Sequence, residues 1–303
     1  MSKKCANRLY GWWICQESFL SESIAAYNQG MLAASSAETS PVYHVDGTSV
    51  YAAGDDPQDQ PLYRLDGYGA AVIEINGQMT KGPTSFGGTS NVRTRQALRK
   101  AAADPDVRGI MLMIDSPGGT VAGHKPLADE IARVAKIKPL HAHAEDGMHS
   151  AALWAGTQAS ILTASELTEI GSIGVVASIA DYSQQFESDG VKVHVISTGD
   201  HKGAFTPGTE VTPDMLAEVQ ARVDQLNAYF VQAVKAGRKL SAGAVEKMAT
   251  GKDWLAPEAF ERGLIDKVMG DDDAMDYLRR DIRKLSSNNR RRSSMRAARI
   301  AAL

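Results

Sequence analysis

The stretch Arg108-Gly109-Ile110-Met111-Leu112-Met113-Ile114-Asp115-Ser116-Pro117-Gly118-Gly119 decides the fold. Its unbroken apolar run is the mark of a strand buried on both faces of a parallel sheet. The run stops at a Ser-Pro-Gly-Gly turn, and chains of this class place their ligand sites at such strand ends. Two successive glycines let backbone approach a ligand closely, although a tight strand-to-helix turn asks for them equally. Upstream, residues 70–75 predict a strand ending at Asn76-Gly77, and residues 91–103 a helix stopped by Asp104-Pro105. Downstream, the pattern predicts a helix through about residue 135 and a strand over 139–144. A helix over 150–158 and strands over 160–163 and 191–196 follow. Met215, Leu216, Val219, Val223, Leu226, Phe230 and Val234 recur at helical spacing and predict a long amphipathic helix over 212–236. Shorter helices are expected over 241–248 and 256–263. Strands alternating with helices imply an α/β fold with mainly parallel strands.

The 303 residues are ample for a sizeable core. With 43% hydrophobic and 23% charged residues the composition excludes a disordered chain. No apolar run is long enough to predict a transmembrane helix, and Arg8, Gln16 and Glu17 interrupt any signal-peptide core. Residues 1–66 read as an N-terminal extension, with a helix over 18–33 and a loop at Gly54-Asp55-Asp56-Pro57-Gln58-Asp59-Gln60-Pro61. Residues 67–270 form the one large domain, and 271–303 read as a charged, disordered tail. Eight arginines and Lys284 against Asp281 give residues 279–303 a net charge of +8, leaving −11 on the remainder. The expectation is that the chain can be cut after Asp276 without harm to the body. Cys5 and Cys15 provide no disulfide framework and point to a reducing cytoplasm, with one bridge between them left open.

A serine nucleophile needs an exposed hydroxyl at a sharp backbone position, a base, and preorganised N–H donors for the oxyanion. Glu145-Asp146-Gly147-Met148-His149-Ser150-Ala151-Ala152-Leu153-Trp154 supplies the first, with Ser150 opening a helix of small residues after a Gly-containing turn. Unpaired N–H groups at a helix start suit developing negative charge. A serine at that position is also the ordinary helix cap, so the residue does not argue for itself. Farther on come Gly171-Ser172-Ile173-Gly174-Val175 and Gly199-Asp200-His201-Lys202-Gly203-Ala204-Phe205-Thr206-Pro207. A lysine is a useful base only when burial lowers its pKa, and Lys202 stands in a loop whose Gly, Ala, Phe and Pro could desolvate it. His149 is expected at the surface or at the substrate's edge. His141 and His143 share one strand face, with no ligand spacing around them to suggest a metal.

Asp115-Ser116-Pro117-Gly118-Gly119, the serine heading a small-residue helix, Gly171-Ser172-Ile173-Gly174-Val175 and a lysine in a Gly/Pro-bounded loop together resemble the motif series of the signal peptide peptidase A family. Its phage head-maturation branch shares the series. The resemblance spans residues 68–270 and implies a ClpP/crotonase-like fold. It implies Ser150 as nucleophile, Lys202 as general base and Ser172 as the lysine's hydrogen-bond partner. It also implies an oxyanion hole built from a backbone N–H of Gly118 or Gly119 together with that of Ala151. Many members carry glycine where Ala151 stands, which leaves the backbone conformation there to be checked. No cofactor or metal is implied. The family's membrane-bound members carry an N-terminal anchor. The sequence shows none, so the resemblance favours the phage branch: scaffold or capsid protein as substrate, in the host cytoplasm or inside a prohead. Family members assemble into rings in which serine and lysine can come from neighbouring subunits, so a homo-oligomer is expected.

The same residues admit rival functions. A ClpP-type triad would need a histidine near 172–178, where the sequence has none. A crotonase-like acyl-CoA enzyme would use the paired glycines but has no need of Ser150, Ser172 and Lys202 together. A soluble bacterial enzyme degrading peptides and an inactive capsid scaffold are both compatible with the sequence. The basic tail, with Arg290-Arg291-Arg292, Arg296 and Arg299, is suited to docking on an acidic partner. It carries no aromatics for stacking on bases.

Overall fold

The computed structural model describes residues 12–15, 61–83, 88–199 and 201–301. The helix expected over 18–33 and most of the N-terminal extension lie outside them. In chain order the strands are β1 (Trp12–Cys15), β2 (Arg64–Leu65), β3 (Ala70–Asn76), β4 (Met79–Thr80), β5 (Thr89–Ser90), β6 (Gly109–Ser116) and β7 (Gly118–Thr120). They continue with β8 (Leu140–His149), β9 (Ile161–Ala164), β10 (Glu169–Gly171), β11 (Val176–Ala177), β12 (Asp253–Leu255) and β13 (Lys267–Val268). The helices are α1 (Asn91–Ala103), α2 (His124–Val134), α3 (Ala151–Gly156), α4 (Ser183–Ser188), α5 (Pro213–Arg238), α6 (Ala242–Met248), α7 (Ala256–Glu261) and α8 (Asp271–Ala301).

The main sheet runs β12-β10-β8-β6-β3-β2, with β9 also on β8 and β13 on β9. Its inner pairs β3–β6, β6–β8, β8–β9 and β8–β10 are parallel, and the edge pairs β2–β3 and β10–β12 are antiparallel. The deciding run is therefore the central strand. Ile110, Leu112 and Ile114 face a core built with α1, α2 and α3, while Met111 and Met113 face α8. A second, smaller sheet, β11-β1-β7-β4-β5, carries Gly118 and Gly119 on β7.

Two expectations fail here. Among the described residues, 191–196 pair with no strand, and they lie exposed apart from Val193, so this apolar, β-branched run has no ladder there. The other is the tail, since residues 271–301 form α8. Ala274, Leu278 and Ile282, spaced four apart, are buried against Ala70, Met111 and Met113 on the open face of the sheet. The stripe is easily missed because it is narrow and set among charges. A cut after Asp276 would remove Leu278 and Ile282 from this layer.

His141 and His143 explain how a polar helix docks there. His143 is fully buried, with Nε2 at 2.9 Å from Asp271 and Nδ1 at 2.8 Å from Thr163 Oγ1. His141 lies 3.3 Å from Asp281 and edge-on to Tyr277. Burial lowers both histidine pKa values, and the facing carboxylates oppose the shift. The shared strand face serves to seat α8.

Candidate active site

The central strands deliver several chain ends to one edge of the sheet. β8 carries two extra residues relative to β6, since Ile114 pairs with Ala144 but Ser116 with Met148. This bulge re-aims the end of β8, as bulges next to functional sites do. Glu145 and Asp146 fall in it. Burial, then Asp271, Asp115, Glu74 and Asp146, pushes the Glu145 carboxyl up to about 7. Asp115, at the end of β6, is also raised, by burial and by Asp146, against the Gly147 N–H and His149.

Ser150 follows at once. Its backbone takes φ 51° and ψ −112°, a conformation costly for any side chain, and α3 starts at the next residue. The Ser150 N–H donates to Gly171 O at 2.8 Å, and Trp154 N–H donates to Ser150 O at 2.9 Å. Contrary to the exposed hydroxyl expected of it, the serine is fully buried, and among the described residues its Oγ has no hydrogen-bond partner. Ser150 is thus no helix cap, because its side chain accepts nothing from α3. Ala151 takes an ordinary negative φ, so glycine is not required there.

β10 lies parallel to β8 with His149 opposite Gly171. Ser150 and Ser172 therefore leave neighbouring strands side by side. Ser172 repeats the unusual backbone, with φ 55°, and donates its N–H to Lys252 O at 2.9 Å. Gly118 has φ 96°, and its N–H donates to Ser116 Oγ at 3.1 Å, while that hydroxyl donates to Gly77 O at 2.6 Å. Gly119 is sealed against a side chain, since a Cβ would lie 1.7 Å from Met79 O. Gly118 N–H is thus engaged by Ser116, and Gly119 is ladder-paired on both sides, with Ile14 of β1 and Met79 of β4.

Comparison with known proteins fixes the relationship. The profile of Peptidase family S49 matches residues 132–284, which contain both serines and the lysine loop. The chain belongs to peptidase family S49. The S49 proteins are serine-type peptidases, and the parallel sheet flanked by helices is consistent with their ClpP/crotonase-like fold. The chain is 33% identical over 233 residues to capsid assembly protease C of Escherichia phage lambda, covering 75% of this chain and 53% of that protein. It is 31% identical over 238 residues to head-tail preconnector protein GP5 of Enterobacteria phage P21, covering 76% and 46%. Protease 4 of Haemophilus influenzae is 27% identical over 230 residues, covering 74% and 37%. The matches span about half of these relatives' length or less.

Within this S49 chain the structure brings Ser150, Ser172, Ala151 and the glycine turn to one edge of the sheet. Lys202 stands apart. It lies exposed in a turn following the unpaired 191–197 segment, and no hydrogen bond joins it to Ser150 or Ser172 among the described residues. The expected desolvation by its own loop is absent, since Lys202 lies exposed within that loop. Its neighbour His201 pairs with Glu218 on α5 at 3.0 Å, and both side chains are exposed.

His149 also departs from expectation. It is buried rather than at the surface, with Nδ1 at 2.9 Å from Asp253 Oδ1. The reason is the register: β12 lies beside β10 with Asp253 opposite Gly171, so His149 and Asp253 flank a residue without a side chain. Asp253 carried no local signal, being 104 residues from its partner.

Proposed function

We propose that this chain is a serine endopeptidase in which Ser150 attacks the scissile carbonyl and Lys202 acts as general base. The observation that carries the reading is Ser150 itself, strained, buried and without a partner among the described residues at the head of α3. In the first step the neutral Lys202 amine takes the Ser150 Oγ proton as Oγ bonds to the carbonyl carbon. The oxyanion that forms is met by a backbone amide of Gly118 or Gly119 and by that of Ala151. Collapse breaks the C–N bond, and the Lys202 ammonium protonates the leaving amine. Water, deprotonated by the same lysine, then hydrolyses the acyl-enzyme. Ser172, beside Ser150, orients the lysine by hydrogen bonding.

Lys202 reaches a serine in the assembled protein: the base of each site comes from a neighbouring copy, whose docking covers the lysine. The surface around the lysine loop supports this arrangement. Ile196 is 98% exposed, and Val191, Val195, Phe205 and Leu216 also face solvent. An apolar area of this kind asks for a covering partner. No helix among the described residues is long and apolar enough to cross a membrane.

The substrate we assign is a scaffold or capsid protein cleaved during phage head assembly, in the host cytoplasm or within a prohead. The names of the lambda and P21 relatives support this choice. Co-expression with candidate capsid and scaffold proteins, read by intact mass, tests it. Defined truncation of one of them is expected, and none with Ser150→Ala. Cleavage that persists with Ser150→Ala overturns the nucleophile. Hydrolysis of unfolded peptides alone, with both head proteins intact, overturns the substrate.

A further inference from the structure

His149 and half-buried Asp253 form, among the described residues, the one His–carboxylate contact that borders the nucleophile directly. We propose that they are positioning residues, a clamp that holds Ser150 in its reactive conformation. The inference rests on Ser150 being the nucleophile.

Three adjacent strands contribute one residue each to a single row: His149 on β8, Gly171 on β10 and Asp253 on β12. The Nδ1–H of His149 donates to Asp253 across Gly171 at 2.9 Å. Only glycine permits the crossing, because a Cβ at 171 would lie 2.9 Å from Asp253 Oδ1 and 2.4 Å from Lys252 O. The Nε2 edge of the ring lies close to Gly147, where an added Cβ would stand 2.8 Å from it. The imidazole is thus held at Nδ1 by Asp253, one residue before the strained serine.

The strain at Ser150 needs such fixing. A non-glycine residue in a sparsely populated region costs about 1–3 kcal/mol and persists only where its surroundings over-determine it. Its own amide bond to Gly171 O is one constraint. The Asp253 carboxylate, gripping the preceding side chain, is the second. Lys252, the residue before β12, accepts the Ser172 N–H at its carbonyl, so adjacent residues 252 and 253 steady both serine turns. Releasing the clamp lets the Ser150 turn relax. Oγ then leaves the line of attack while the surfaces that bind substrate stay in place.

The test compares Asp253→Ala, Asp253→Asn, His149→Ala and the double variant Asp253→Ala/His149→Ala in the full-length assembled protein, with Ser150→Ala as control. The readouts are kcat and KM on a cleaved peptide, the rate of labelling by a fluorophosphonate, and Tm. Asp253→Ala should lower kcat and labelling by about tenfold or more, with KM within about twofold. Asp253→Asn, whose amide oxygen accepts the same N–H, should recover most of the loss. The double variant should be no worse than either single change, as expected of one shared interaction. Wild-type labelling by a folded Asp253→Ala, or additive losses in the double variant, overturns the clamp. So does a loss in Asp253→Asn as large as in Asp253→Ala. Hydrolysis by Ser150→Ala would instead remove the nucleophile on which the clamp depends, so the two failures are told apart.

Discussion

At Ser150 the backbone holds φ 51° and the hydroxyl is buried without a partner. Both features cost stability, and both suit a nucleophile that must meet a substrate and a base arriving from elsewhere. Ser150→Gly removes the two costs together and adds only the entropy of glycine, about 0.5–1 kcal/mol. We therefore expect Ser150→Gly to raise stability by about 1 kcal/mol while abolishing cleavage. Urea denaturation of the two proteins measures the difference, and a clear destabilisation would contradict the strain. Ser172 shares the positive φ, which sequence inspection could not disclose because nothing in Gly-Ser-Ile-Gly marks the serine rather than the glycines as the strained residue.

Two elements carry consequences away from the serine. In α2, His124 is fully buried beside Trp154, and its ring nitrogens have no partner among the described residues. Burial lowers its pKa from 6.5 to about 3. Between those values the unfolded chain binds the proton and the folded chain does not. Stability is therefore complete above the unfolded pKa and is lost as pH falls toward 3, at up to about 1.4 kcal/mol per pH unit from this group. His124→Leu should flatten that acid limb in denaturation curves taken between pH 4 and 7; an unchanged slope would refute the assignment. In α8, truncation after Asp276 should lower Tm sharply, because Leu278 and Ile282 cover Met111 and Met113. Large buried aliphatic side chains are each worth about 2–5 kcal/mol. Truncation after Leu285 should leave Tm within a few degrees, and equal losses from both cuts would contradict the docking of α8.

The same elements show what the sequence could disclose. The apolar run of β6 and the bounds of α1 were legible from local pattern, because burial on both faces and a Pro stop leave marks a few residues long. The docking of α8 was not, since three apolar residues among arginines and aspartates look like a solvated tail. Nor was the His149–Asp253 pair, which exists only through the register of three strands. The strand expected over 191–196 has the composition of a strand but lacks a pairing neighbour among the described residues.

At the scale of the whole molecule, the 191–196 segment, unpaired among the described residues, and exposed Lys202 are what the proposed completion of the site by a neighbouring copy would explain. If neighbouring copies complete it, inactive Ser150→Ala and inactive Lys202→Ala proteins should regain activity when mixed and allowed to reassemble. Intact serines would then sit beside intact lysines at some interfaces. Peptide hydrolysis of the mixture against each parent checks this, and no recovery under conditions that exchange subunits would place both groups in one chain. The most direct measurement for the account as a whole is the site of fluorophosphonate attachment in the assembled protein, mapped by peptide mass. The account predicts one adduct, on the peptide bearing Ser150, absent from Ser150→Ala and strongly slowed in Lys202→Ala. An adduct on another residue, or peptidase activity that survives with Ser150 unmodified, would contradict it.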